Sequence, residues 1–339
     1  MQPVRPLLLA VLLLSACSGL APAAQTPLVP TASLTALITP QDLPGPTATS
    51  SPTPQLVPTP TSLPPLDPSL QEWQSCAQSD QACILSGHFL FERPIAASAN
   101  QFIDPTYRYG STQRNLRDPH HGVELVNPQG TPVLAAAPGR VIFAGSDEQV
   151  ALARFSSFYG NVVVIEHSFP AFSTPLYSLY AHLFSISVHP GDLVSSAEVI
   201  GTVGATGAAI GSHLHFEVRQ VNNDYRSNRN PALWLLPLPG TGALAGRLVD
   251  AHGDRLAGIF NLQRVMQGKI DPTPVTSLET YNFKEVQPVA SDTLWQENFA
   301  VGDLPAGEYR LSLIMDGMLQ EQRLTIAAGK LTFVWFVAK

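Results

Sequence analysis

Apolar residues are distributed along the chain in three distinct ways. Residues 7–14, "LLLAVLLL", form one unbroken apolar run behind the basic Arg5. From residue 18 to about 70 the pattern dissolves into Pro, Thr, Ser and Ala. Beyond residue 71 short runs return, among them "TPVLAAAPGRVIFAG", "GNVVVIEHS", "PLYSLYAHL", "AEVIGTVGATG" and "HLHFEVRQ", separated by Gly, Pro and Asn. Their length and alternation predict strands, and no long 3.6-residue periodicity competes, so the fold class is mainly β. After "LPLPGTG" at residues 236–242 a second β set begins. There "GEYRLSLIMDG" puts Tyr309, Leu311 and Leu313 on one face, "LTFVWFVA" is an apolar strand, and His252-Gly253 and Asp316-Gly317 mark turns. The expected division is a β domain over 71–239 and a small β-sandwich over 240–339.

The first two regions predict export and a tether. A basic start, a short apolar run and small residues are the layout of an export signal, and the run is too short to span a bilayer as a mature helix. "LSAC" at residues 14–17 resembles the lipobox of bacterial lipoproteins, which implies a signal over 1–17 and lipid on Cys17. Several acyl chains would anchor the protein stably in the cell envelope. Segment 18–70 buries too little apolar surface to offset its ordering entropy and is expected to be an extended linker, with a reach on the order of 150 Å at most. A formal net charge of -7 offers no basic patch for nucleic acid. With Cys17 lipidated, Cys76 and Cys83 remain, and in an oxidising compartment they most simply close a small disulfide loop.

Candidate chemistry lies with the histidines. Of nine in the chain, seven fall between His120 and His215. In the run "SHLHFEV" alternation sends Leu214, Phe216 and Val218 to a core and turns His213, His215 and Glu217 to the other face, a pair of imidazoles side by side. "HHGVE" sets His120 four residues before Glu124, with a glycine between them where the backbone can approach closely. A catalytic zinc site takes three ligands from His, Cys and carboxylate and keeps a position open, a count that His120, Glu124 and His215 meet. His182, in the strand-like "LYAHL", and His213 are placed to serve proton transfer. His121 is a competing ligand whose register is less favourable. His88, His167, His189 and His252 are expected in ordinary surface or hydrogen-bonded roles. Tyr177 and Tyr180 are read either as groove lining or as packing, and Trp234, Trp295 and Trp335 as core or interface aromatics.

"HHGVE", "LYAHL", "GDLVSSAEVIGTVGATG" and "SHLHFEV", followed by Asn230-Pro231, stand in the order and at the separations of the lysostaphin/LytM zinc metalloendopeptidases, which the chain resembles over a core of 115–231. The resemblance implies an antiparallel β-sheet peptidase fold of the duplicated hybrid, or barrel-sandwich hybrid, kind. It implies zinc held by His120, Glu124 and His215, catalytic assistance from His182 and His213, and peptidoglycan peptides as substrate. The family's Asp is Glu124 here, one methylene longer.

Residues 240–339 resemble, more loosely, the transthyretin-like modules appended to carboxypeptidases and exported proteins, a likeness that names a fold and no task. Two alternatives to an active endopeptidase stay open. One is a LytM-like module without metal that binds the wall or activates an amidase. The other is a structural or adhesion lipoprotein that works through its sandwich. The segment "HFLFERPIAASANQFIDPTYRYGST" before the site is expected to support the domain as a strand, with covering of the groove as the alternative.

Overall fold

A computed structural model describes residues 68–76, 82–273, 275–281 and 288–338. The expected export signal with Cys17, and the linker up to residue 67, lie outside the described residues. Among the described residues the regular secondary structure is almost entirely strand. The one α-helix among the described residues, Pro68–Cys76, is joined by the Cys76–Cys83 disulfide to the strand Cys83–Leu85.

The sheet that carries the histidines is antiparallel. Its order across the sheet is Asn228–Arg229, His213–Gln220, Leu176–Ala181, Asn161–His167, Gly139–Ser146 and Leu193–Val194. Val123–Val126 pairs with the first half of His213–Gln220, in a register that sets Glu124 opposite His215. A small three-stranded sheet, Pro132–Leu134, Val199–Thr202 and Ile186 with its neighbour Ser185, stands beside it.

Both faces of the main sheet are covered, which differs from the expected oily and polar faces. Val163, Ile165, Tyr180, Leu214, Phe216 and Val218 enter the large core on one side. On the other side Tyr159, Val162, Val164, Tyr177, Leu179 and Ala181 form a second apolar layer. The unbroken "VVVI" run is what burial on both faces looks like in sequence. Glu217 and Arg219 therefore sit at 0% exposure instead of facing water. Tyr180 and Tyr177 are packing residues, and neither lines the cleft described below.

Beyond residue 240 two sheets enclose a separate core that includes Leu244, Phe260, Leu262, Phe299, Tyr309 and Phe336. One has the order Cys83–Leu85, Leu331–Val337, Thr241–Val249, Phe299–Pro305. The other is built on Ile259–Met266 and Gly307–Met315, with Thr276–Glu279 along the edge of the former. A sandwich was expected here, but its first strand comes from residues 83–85, so the boundary at 239 does not separate two contiguous segments. Aromatic packing explains why: the Trp73 ring lies 4.9–5.4 Å from those of Trp295, Phe333 and Trp335. Phe91 and Ile95 belong to the same large core as Trp73, Trp295 and Phe333, which continues beneath the histidine sheet. Residues 96–122 hold no strand, so the expected supporting strand is absent there. Residues 104–118 instead run along the mouth of the site.

Candidate metal centre and active site

His120, Glu124 and His215 are brought together by the pairing of Val123–Val126 with His213–Gln220. His120 Nε2 lies 2.8 Å from Glu124 Oε1 and 3.2 Å from His215 Nδ1, and His215 Nδ1 lies 3.1 Å from Glu124 Oε1. The extra methylene of glutamate is thus absorbed by the side chain, whose Oε1 meets both imidazoles. Gly122 permits this approach. A Cβ there would stand 2.6 Å from the Phe216 carbonyl oxygen and 2.7 Å from the His215 ring.

The outer nitrogens of both imidazoles are fixed by acceptors. His120 Nδ1 donates to the Tyr107 carbonyl at 2.8 Å, and the Tyr107 ring stacks on His120 at 4.1 Å. His215 Nε2 donates to Glu217 Oε1 at 3.1 Å. Since a carbonyl or carboxylate can only accept, the outer nitrogens carry protons, and when the rings are neutral the inner atoms present lone pairs. Three lone pairs converging on one point repel unless a cation lies between them. The donor set of two imidazoles and one carboxylate suits zinc. Glu124 Oε2 supports the fit. It is buried and faces His213 Nε2 at 2.9 Å, so the carboxylate spans from the two imidazoles at Oε1 to His213 at Oε2.

Within the cluster these charges shift one another. Burial alone would raise Glu124, yet the positive charge of His215 and hydrogen bonds from His120, His213 and His215 hold it well below the usual carboxylate range. Burial would lower His215, but the carboxylates of Glu124 and Glu217 raise it to about 9. His182 is pushed down to about 3, by burial first and by the positive charge of His215 second. The neutral His182 donates from Nδ1 to the Thr206 carbonyl at 2.8 Å, which leaves Nε2 free to accept a proton.

His182 was expected within a strand, whereas Leu176–Ala181 ends one residue earlier and His182 has φ +62°. A left-handed residue with a side chain is disfavoured, and here it is held by two bonds, its N–H to the Tyr159 carbonyl and its ring to Thr206. The departure turns its ring to 4.9 Å from that of His213 and 5.6 Å from that of His215. His213 is anchored through Nδ1 to the Gly211 carbonyl at 3.0 Å. His121 turns away from the cluster, stacks on Tyr225 at 3.8 Å and bonds to the Tyr225 carbonyl and to Asn228. His167 and His88 are both buried, the former hydrogen-bonded to Pro138 and Ser178, the latter 3.6 Å from Asp292. His189 and His252 are exposed.

Behind His215 lies a buried assembly that sequence reasoning did not identify. Glu217 accepts from His215 and Tyr159 on one oxygen, and from Arg219 Nε at 2.9 Å on the other. Arg219 also donates to Tyr159 Oη, Asn223 and the Leu152 carbonyl. Period 2 along the strand was the available signal, since it places Glu217 and Arg219 on the His215 face. Tyr107 carried no comparable signal, because a loop brings it to His120. In front of the cluster opens a cleft of about 570 Å³, whose lining includes Tyr107, Arg117, Asp118, Phe155, Phe158 and Ile210.

Comparison with known proteins bears on the part of the chain that builds this cluster. Residues 118–229 match the model of Peptidase family M23. The DD-carboxypeptidase/endopeptidase Mpg of Neisseria meningitidis serogroup B is 39% identical over 120 residues, 35% of this chain and 24% of that protein. Peptidoglycan DD-endopeptidase ShyB of Vibrio cholerae is 37% identical over 100 residues, 30% of this chain and 20% of that protein. The chain therefore spans a quarter or less of the length of these relatives. Among solved structures, the catalytic domain of lysostaphin from Staphylococcus simulans aligns at 26% identity, with 33% of this chain, 76% of that chain and a TM-score of 0.29. Residues 118–229, the segment that matches peptidase family M23, thus contain His120, Glu124 and His215 together with His182 and His213.

Proposed function

We propose that this protein is a zinc-dependent endopeptidase that hydrolyses peptide bonds of peptidoglycan. The observation that carries the reading is the convergence of His120 Nε2, Glu124 Oε1 and His215 Nδ1, with His182 and His213 beside them, on the floor of an open cleft. A zinc ion held by these three residues would supply Lewis acidity, polarising a scissile carbonyl and acidifying water. The rest falls to the chain. The cleft walls bind an extended peptide and hold its carbonyl over the cluster. His182, neutral and with Nε2 free, takes the proton of the attacking water. His213, its Nδ1–H held by the Gly211 carbonyl and its Nε2 beside Glu124, acts in its doubly protonated form, donating a hydrogen bond from Nε2 to the oxyanion and then giving that proton to the leaving amine. Glu217 and the Tyr107 carbonyl keep the ligand rings from rotating. The peptidoglycan substrate is supported by the matched relatives, whose names place them on that polymer.

The test is hydrolysis of purified cross-linked muropeptides by the full chain and its His213→Ala variant. The reading expects turnover to fall by at least a hundredfold while zinc stays bound. Unchanged turnover in the variant would remove His213 from the mechanism.

The export signal over 1–17, lipid on Cys17, and a tether over 18–70 that lets the enzyme reach the wall from a membrane are part of the same proposal, supported by the sequence pattern. Metabolic labelling with a fatty acid tests them: label on the wild type and none on Cys17→Ser is expected, and an unlabelled wild type would refute the anchor.

A further inference from the structure

We propose that Glu279, on the strand Thr276–Glu279 of the C-terminal sheets, is a positioning residue for the metal ligand His120 and acts through Ser111. The inference rests on the metal reading above and adds to it a task for the part of the chain outside the peptidase match.

His120 is not in a strand. Among the described residues its backbone hydrogen bonds run to the segment that precedes it: Gly110 N–H donates to the His120 carbonyl at 2.8 Å, and His120 N–H donates to the Ser111 carbonyl at 3.1 Å. The Tyr107 carbonyl fixes its ring. Where His120 sits therefore depends on where residues 107–112 sit, and these make no ladder of their own.

The segment is gripped from the C-terminal side. Glu279 Oε2 accepts from Ser111 Oγ at 2.9 Å and from Thr112 N at 3.2 Å, and Oε1 accepts from Arg114 N at 3.3 Å and Thr112 Oγ1 at 3.4 Å. One carboxylate thus collects four donors from a single loop. Tyr281, two residues further on, packs against Gly110 so closely that a Cβ there would lie 2.5 Å from its ring. Tyr109 Oη is held by both the N–H and the carbonyl of Ala290.

The loop needs such a grip. Gln113, Arg114 and Asn115 have φ of 49°, 61° and 65°, three left-handed residues in succession, none of them glycine. Side chains disfavour that conformation, so it persists only where the surroundings over-determine it. Backbone N–H groups in such a turn form an anion-binding concavity, and the Glu279 carboxylate fills it. The chain of contacts from the C-terminal sheets to the metal site is then short: Glu279 holds Ser111, and Ser111 holds His120. Glu279 touches neither the ligand atoms nor the cleft floor, so its effect passes through position alone.

The experiment uses the full chain and its Glu279→Gln and Ser111→Ala variants. Gln replaces one acceptor oxygen with a donor facing the loop, so the loop is released. Amide exchange at His120 and Gly110 in metal-free protein is expected to quicken at least tenfold in Glu279→Gln. Zinc affinity, read by chelator competition, is expected to weaken about tenfold, and excess zinc is expected to restore most of the turnover, which loss of global stability alone would not produce. Unchanged exchange at His120 together with unchanged zinc affinity would overturn the proposal, even if the variant melted earlier. A wild type that takes up no zinc overturns the metal reading instead, and the exchange data then decide whether Glu279 holds His120. Should Glu279→Gln fail to fold, Ser111→Ala, which keeps the other three donors on Glu279, is judged by the same two readouts.

Discussion

Glu217→Gln tests the assembly behind His215 without depending on metal. The glutamate, like Arg219, has 0% exposure and accepts from His215, Tyr159 and Arg219. Glutamine keeps the volume but turns one oxygen into a donor. With the amide in one orientation, Arg219 Nε faces an N–H group; with the other, His215 and Tyr159 do. Each hydrogen bond lost to a charged acceptor costs about 1.5–3 kcal/mol. Arg219 also loses its counter-ion in a dry site, and breaking such a pair from one side costs roughly 3–5 kcal/mol, a range that contains the hydrogen-bond losses. The expected loss of stability is therefore about 3–5 kcal/mol, read from urea unfolding of the full chain in the presence of a chelator. Glu217→Gln combined with Arg219→Met removes both charges, so it should be less damaging than the sum of the two single changes by at least ~1 kcal/mol. A loss below about 1 kcal/mol for Glu217→Gln, or additivity in the double variant, would refute the claim that Glu217 works as the shared acceptor of a buried charge pair.

Two further outcomes follow from close contacts. Gly122→Ala puts a methyl group where the His215 ring and the Phe216 carbonyl already stand, so zinc affinity should fall by at least tenfold, and unchanged affinity would show that the strand pair can open at that point. His167, buried and bonded to Pro138 and Ser178, is pushed down to about 4 by burial, while the unfolded chain takes up a proton near 6.5. Its contribution is fully present above pH 6.5 and is lost as pH falls from there to about 4, worth roughly 3 kcal/mol at most. Denaturation midpoints measured from pH 7 to pH 4 should accordingly fall more steeply for the wild type than for His167→Gln, and parallel curves would contradict the assignment.

How much of this was legible in sequence depended on whether periodicity carried it. The His213–Gln220 strand announced its two imidazoles, because alternation fixes which side chains share a face. It also placed Glu217 and Arg219 beside His215, but it could not tell that Tyr159 and a second apolar layer would cover that face, since burial is decided by segments far away in the chain. His182 was legible as a candidate and not as a left-handed residue: its conformation depends on Tyr159 and Thr206. Tyr107 and Glu279 left no local trace. One reaches His120 by a loop, the other by a strand more than a hundred residues away. The boundary at 239 followed a real change in composition, yet Cys83–Leu85 pairs with Leu331–Val337, and Trp73 packs on the far side of that boundary against Trp295 and Phe333.

The central claim is that two imidazoles and a glutamate form a working zinc site. It is tested most directly by elemental analysis of the full chain, purified without added metal, beside its Glu124→Ala variant. The account predicts about one zinc per chain in the wild type and a near-complete loss in the variant. A wild type that is free of metal and takes up none when zinc is added would contradict it.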